Sequence, residues 1–322
     1  MKIAIVGAGA IGGLLAGCLA DAGEDVSLVA RGGHLAALQA DGLTVRWLGQ
    51  PERNYRLRVV DDPRQLSPQD VIFITLKAYA IGDMLPRIAP IVGDQTAVIP
   101  AINGLPWWYF SRIGGAREGQ RVDCLDPDGG MARALDAKHI IGCVIHGAGE
   151  VIAPGIVQHT SSRLFILGEL DGRMTPRLEV IGAALSKGRL EPKLTPTIRN
   201  EIWMKLIGNL SYNPLAALTL SRMNEINQDG GLLDTIRVLM RESMAVSKAY
   251  GEPVRLSIEG RIAIARTIGN SKISMHQDLE RGRPMEIDAI IGSVAELARK
   301  AGIATPMIDA FHALIKARAR QR

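Results

Sequence analysis

Lys205, Asn209 and Asn213 are spaced at four and eight within a largely apolar stretch, Trp203-Met204-Lys205-Leu206-Ile207-Gly208-Asn209-Leu210-Ser211-Tyr212-Asn213, and so share one face of a helix. A lysine and two asparagines in such company are costly to bury unless something polar lies opposite. An ammonium so placed can stabilise negative charge growing on an oxygen and then supply a proton. The amides add hydrogen bonds without adding charge. Ser274, Glu286, the segment Thr75-Leu76-Lys77-Ala78-Tyr79 and the pair Asn103-Gly104 extend the polar set.

A second constellation opens the chain. Gly7, Gly9 and Gly12 form G-x-G-x-x-G after an apolar run, Ile3–Val6, and ahead of a helical stretch. In such a turn the first glycine permits the tight bend, the second lets backbone approach a diphosphate, and the third allows close helix–strand packing. The helix start then offers unpaired N–H groups to an anion. Gly7, Ala8, Gly9, Ala10, Ile11 and Gly12 are therefore expected to bind a dinucleotide. At the end of the next strand, where a carboxylate would meet a ribose 2′-hydroxyl, the chain has Arg31, with no acid until Asp41. A cation there suits a 2′-phosphate, so NADP is the expected cofactor.

The elements that must hold these groups follow from the apolar pattern. Ile3–Val6, Val26–Val29, Val71–Leu76 and Ala97–Ile99 read as strands buried on both faces, alternating with helical stretches at Leu14–Ala22, His34–Ala40 and Ala80–Ala89. Ile140–Ile145, Val151–Ile152, Ile156–His159 and Leu164–Leu167, separated by Gly and Pro-Gly turns, predict a more antiparallel extension. Beyond Thr195-Pro196 the pattern is helical: Ile198–Leu210, Leu232–Ala249, Ile258–Ile268, Ile287–Ala301 and Pro306–Ala319. The expected fold is α/β, with an N-terminal Rossmann-type doubly wound sheet over residues 1–196 and a C-terminal all-α domain over 197–322.

Composition removes several other classes. The 322 residues are 47% hydrophobic, 22% charged and 4% aromatic, with 35 scattered glycines, which suits two packed domains and neither a collagen-like nor a disordered chain. No run of eighteen apolar residues and no secretory leader is present, so no membrane span and a cytoplasmic location are expected. Four of the five net positive charges (Lys316, Arg318, Arg320, Arg322) sit in the last seven residues. They read as a solvated helix end, so no nucleic-acid or membrane partner is expected. The three cysteines (Cys18, Cys124, Cys143) fit neither a disulfide framework nor a zinc site, and the six histidines lack ligand spacing, so no metal is expected.

Together the residues resemble the ketopantoate reductase family (2-dehydropantoate 2-reductases), within the wider 6-phosphogluconate-dehydrogenase-like group. The resemblance covers nearly the whole chain and rests on GAGAIG at 7–12, TLKAY around Lys77, NG at 103–104, EIWMKLIGNLSYNPLAAL at 201–218 and SMHQDLERGRPMEID at 274–288. It implies NADPH-dependent reduction of 2-dehydropantoate to (R)-pantoate in pantothenate biosynthesis, or of a related 2-oxo acid, with the active site between the two domains. Lys205 would be the proton donor. Asn209, Asn213, Ser274 and Asn103 would hold the substrate, and Glu286 would orient its oxygen and the cofactor end of the site. Lys77, Asn103 and Ala148, the last on a loop after the His146 strand, would line the nicotinamide side. Long C-terminal helices are compatible with a homodimer.

The chain departs from the family pattern at Leu105-Pro106-Trp107-Trp108-Tyr109-Phe110, which holds four of its thirteen aromatics, and at Met223 and Ser271, where asparagines are usual. The aromatic run reads either as a hydrophobic loop or dimer contact or as a reshaped pocket for a bulkier 2-oxo acid. The competing readings are an opine- or 3-hydroxyacid-type dehydrogenase and a non-catalytic NADP-binding redox sensor. A sensor would have no use for Lys205 and Glu286 together.

Overall fold

The computed structural model describes residues 1–321, and the tail cation Arg322 lies outside the described residues. The chain divides into two compact units. Met1–Ile102, Phe110–Gln120 and Gly129–Ile198 make the first; Asn103–Tyr109 and Arg121–Asp128 pack with the chain from Arg199 onward in the second. The expected single break at residue 196 is corrected in this respect. Two earlier stretches leave the sheet-bearing unit: Leu105–Tyr109 is buried, and within 121–128 Val122 and Asp126 are.

The first unit runs β1 (Lys2–Val6), α1 (Ala10–Asp21), β2 (Asp25–Val29), α2 (Gly32–Asp41), β3 (Leu43–Arg46), β4 (Arg53–Tyr55), β5 (Arg58–Val60), β6 (Gln69–Ile74), α3 (Ile81–Ile88), β7 (Val92–Pro100), α4 (Gly130–Ala134), β8 (Ile141–Ile145), β9 (Ala148–Ala153), β10 (Ile156–Ser161), β11 (Leu164–Glu169), α5 (Pro176–Lys187) and β12 (Glu191–Leu194). Five strands form a parallel sheet in the order β5-β2-β1-β6-β7, with Ile3 opposite both Val26 and Val71. Chain order reverses at β1, so the turn after β1 lies at the switch point where such sheets take ligands.

A second sheet, β4-β3-β10-β9, covers the other side of α1. Its approach explains the extra glycines of that helix: a Cβ at Gly13 would stand 2.6 Å from Val157 Cγ2, and one at Gly17 2.9 Å from Val45 Cγ2. Gly12 through Leu19 are consequently all buried. The third sheet is β12-β11-β8. The expected antiparallel pairing occurs in β8–β11 and β9–β10, but β11–β12 and β3–β10 are parallel. The short strands β3, β4, β5 and β12, three or four residues each, were not expected.

The second unit is helical: α6 (Ile198–Thr219), α7 (Met223–Gln228), α8 (Gly230–Ala249), α9 (Ile258–Arg266), α10 (Ser274–Glu280), a π-wound segment Asp288–Gly292 leading into α11 (Ser293–Lys300), and α12 (Pro306–Arg320). α6 continues through Pro214, past the expected end at Leu210. Every residue from Leu210 to Ala217 is buried, and that packing overrides the local cost of an interior proline. Among the described residues no helix is long and apolar enough to cross a membrane, and no cluster of His, Cys, Asp and Glu could hold a metal.

Candidate functional site

The glycine turn of the first unit has the shape its motif demands. Gly7 adopts φ +112°, closed to most side chains, and a Cβ there would also press on Leu76 Cδ2 at 2.9 Å. A Cβ on Gly12 would lie 1.9 Å from the Gly7 carbonyl oxygen, so only glycine lets α1 start this close to β1. Gly9, by contrast, faces open space, with nothing within 4 Å of its Cβ position. The first intrahelical bond is Gly13 N–H to Gly9 O, so the N–H groups of the turn before it have no helical partner. No acid occupies the first turn of α1. An open approach at Gly9 and donors at a helix start fit a dinucleotide diphosphate.

Two residues that the motif does not name hold this turn. Thr75 Oγ1, just past β6, donates to Gly7 O at 2.5 Å. His34 bridges in the other direction. Its Nδ1 accepts from Gly155 N–H at 3.0 Å, which leaves Nε2 as the donor to Ala8 O at 2.7 Å. Arg31 is exposed as the N-cap of α2, two residues past the end of β2. Lys77, half-buried, opens the short turn Ala78–Ala80 beyond β6. Ala148 is the first residue of β9, paired with Ser161, and not part of a loop as expected.

In the second unit the half-buried Lys205 donates from Nζ to Asn103 Oδ1 at 2.6 Å. An ammonium only donates, so this contact fixes the oxygen end of the Asn103 amide. One helical turn on, Asn209 is half-buried and bonded to no other described side chain. Asn213, 4% exposed, accepts at Oδ1 from Ser274 Oγ (3.2 Å) and from Met275 N–H (3.3 Å), which turns its amide donors away from α10. Two of the expected substrate residues, Asn213 and Ser274, are thus in direct contact, as are Lys205 and Asn103.

Asn103 is held from both ends of its segment. Leu105 N–H donates to the Ala289 carbonyl at 2.8 Å, inside the π-wound segment. Gly104, φ +87°, makes that docking possible, since a Cβ would lie 2.3 Å from the same oxygen. Glu286, 6% exposed, lies two residues before this segment. The expected helix from Ile287 to Ala301 is there, but its first turns are π-wound. Such turns cluster at functional sites, and here the turn presents a carbonyl outward. At the far end, Tyr109 is fully buried: its OH accepts from Trp203 Nε1 at 2.7 Å, the rings meet edge-on at 6.4 Å, and its carbonyl accepts from Arg199 Nε at 2.8 Å. Trp107, Trp108 and Phe110 are likewise buried. The aromatic run is therefore interior packing and not an exposed contact surface, and its Tyr109 anchors the Asn103 segment to the start of α6.

Comparison with known proteins matches both units. The family described as "Ketopantoate reductase PanE/ApbA" matches residues 3–108, and its C-terminal counterpart, "Ketopantoate reductase PanE/ApbA C terminal", matches residues 197–319. The 2-dehydropantoate 2-reductase of Mesorhizobium japonicum is 43% identical, covering 100% of this chain and 99% of that protein. Among solved structures, a Ralstonia solanacearum MolK2 chain given as a candidate ketopantoate reductase superposes with a TM-score of 0.94 at 37% identity, covering 100% of this chain and 98% of that one. A D-mandelate dehydrogenase solved with NADH and anilino(oxo)acetate shares the fold at TM-score 0.86 and 23% identity, over 100% of this chain and 99% of that one. With the glycine turn, the Lys205–Asn103 pair and the Asn213–Ser274 pair all inside the matched segments, the chain is a member of the ketopantoate reductase PanE/ApbA family.

Proposed function

We propose that this chain reduces the ketone of 2-dehydropantoate to the hydroxyl of (R)-pantoate with NADPH as reductant. The observation that carries the reading is the half-buried Lys205 ammonium, held by Asn103 Oδ1 at 2.6 Å on the helix face it shares with Asn209 and Asn213. When bound, reduced NADP supplies a hydride to the keto carbon. Negative charge then grows on the keto oxygen; Lys205 stabilises it and passes a proton to it, and the amine regains a proton from solvent. The Asn103 contact costs Lys205 one of its three donors and fixes the aim of the others. Asn209, the Asn213 amide and Ser274 are polar groups that can hold the acid without repelling it, and Glu286 orients the substrate oxygen.

Gly7 to Gly12 would hold the diphosphate, and Arg31 would meet the 2′-phosphate. The fold does not choose between the two nicotinamide dinucleotides, since a neighbour sharing it was solved with NADH. The choice of NADP rests on Arg31 standing exposed just past the end of β2 where a carboxylate would repel phosphate.

The test is NADPH oxidation followed optically with 2-dehydropantoate. Wild-type protein should turn over. Lys205→Ala should lose roughly 10²- to 10⁴-fold in kcat while still binding NADPH by fluorescence titration. Full activity in the variant would remove Lys205 as donor.

A further inference from the structure

The open approach at Gly9 brings a liability with it. With no Cβ on the second residue, the peptide joining Ala8 to Gly9 can rotate. The carbonyl and the N–H of that planar unit point in opposite directions. One orientation offers the Gly9 N–H to an anion; the other offers a carbonyl oxygen, which would repel it. Ala8 is 5% exposed, so its carbonyl also needs a partner within the protein.

His34 is that partner, and it is itself held. Gly155, in the turn between β9 and β10, has its carbonyl bonded by Thr44 N–H at 2.8 Å. At φ +78° it lies against α2, where a Cβ would stand 3.5 Å from Ala37 Cβ. Its N–H donates to His34 Nδ1 at 3.0 Å, so the ring proton sits on Nε2, which donates to Ala8 O at 2.7 Å. A backbone donor fixed from both sides thus sets the tautomer, and the neutral ring is a strut from the second sheet to the glycine turn. Core packing does not account for the placement, since Leu38 is the one buried residue of α2 and His34 is half-buried. Opposite the pinned carbonyl, the Gly9 N–H has no acceptor among the described residues.

We propose that His34 is a positioning residue for the dinucleotide: by holding Ala8 O it fixes the Ala8–Gly9 peptide with the Gly9 N–H presented to the diphosphate. This rests on the cofactor reading above. The role is separate from that of Arg31, although both residues lie at the start of α2. Arg31 would meet the 2′-phosphate that only NADP carries, whereas the diphosphate is common to both dinucleotides. His34 therefore sets affinity without setting the choice between them.

The experiment titrates NADPH and NADH by fluorescence into wild type, His34→Ala and His34→Gln. His34→Ala should weaken both dinucleotides by the same factor, roughly 3- to 10-fold, because a peptide that wild type holds ready must then be ordered on binding. Glutamine carries a donor and an acceptor without charge, so His34→Gln should recover part of the loss. Unchanged affinity in His34→Ala overturns the proposal and leaves the cofactor reading intact. So does a loss confined to NADPH, which would mean that the histidine only steadies Arg31. Wild type that binds neither dinucleotide overturns the cofactor reading, and the proposal with it. Should His34→Ala fail to fold, NMR of the wild type decides. The His34 proton should sit on Nε2, and the Gly9 amide should exchange freely in the free protein and be protected by saturating NADPH. A proton on Nδ1, or a Gly9 amide equally exposed with and without NADPH, overturns the proposal.

Discussion

The Lys205 ammonium and the Asn103 carboxamide oxygen, far apart in the chain, meet at 2.6 Å within the helical unit. The pair joins the proposed donor to the segment that leaves the parallel sheet after β7. Residues that act as one unit give non-additive losses. Asn103→Ala should lower kcat by roughly 10-fold or more by loosening the aim of Lys205, and Lys205→Ala should lower it further. The double variant should be no worse than Lys205→Ala alone. Additive losses in kcat across this cycle would separate the two residues functionally.

Gly104 is the next point of control. Its φ of +87° and the 2.3 Å approach of Ala289 O to a Cβ position leave no room for alanine. Gly104→Ala should cost about 1–3 kcal/mol of stability from backbone strain and should also break the Leu105–Ala289 bond that seats Asn103. The urea midpoint and kcat should fall together, with NADPH binding little changed. A variant with wild-type kcat would show that the docking is dispensable for catalysis.

For the cofactor, the distinguishing residue is Arg31. Arg31→Ala should weaken NADPH by roughly 10- to 100-fold, the loss of a charged hydrogen-bond partner for phosphate, and should leave NADH nearly unaffected. Arg31→Asp should go further and favour NADH. Equal losses for both dinucleotides in a fluorescence titration would remove the 2′-phosphate role.

Parts of this architecture could be read directly from the sequence, for physical reasons that also mark the boundary of such reading. β1, β2 and β6 are buried on both faces and so appear as near-continuous apolar runs, and the glycine turn has a spacing imposed by its geometry. The face carrying Lys205 and Asn213 shows through helical periodicity. What could not be read depends on partners distant in the chain. Tyr109 reads as part of an anomalous aromatic run until Trp203 and Arg199 are seen to satisfy its hydroxyl and carbonyl. His34 gives no local sign that it spans Ala8 and Gly155. Gly208 looks like a weak point in a helix until Arg261 lies on it. The π winding at Asp288–Gly292 leaves the apolar pattern helical, so periodicity misses it.

Acid sensitivity should centre on Glu296. Its carboxylate accepts from the backbone N–H groups of Asp123 (2.7 Å) and Cys124 (2.8 Å) and pairs with Lys300 at 2.7 Å, holding the 121–128 stretch onto α11. Burial pushes its pKa up, but the Lys300 bond and the two backbone donors outweigh this, and the net value lies below the usual glutamate range. A carboxylate depressed by folding contributes stability that is present above its unfolded pKa and is lost as pH falls through the folded one. Glu296→Gln keeps the shape, removes the charge and puts an amide nitrogen where one backbone donor needs an acceptor, so near neutral pH it should cost about 1–3 kcal/mol. Below about pH 4.3, the ordinary glutamate value, the wild type begins to lose the same contribution and the gap between the two proteins should narrow. Urea midpoints measured at pH 7, 5 and 4 check this. A gap that stayed constant over that series would mean the charge on Glu296 contributes nothing to holding the loop, and that shape alone retains it.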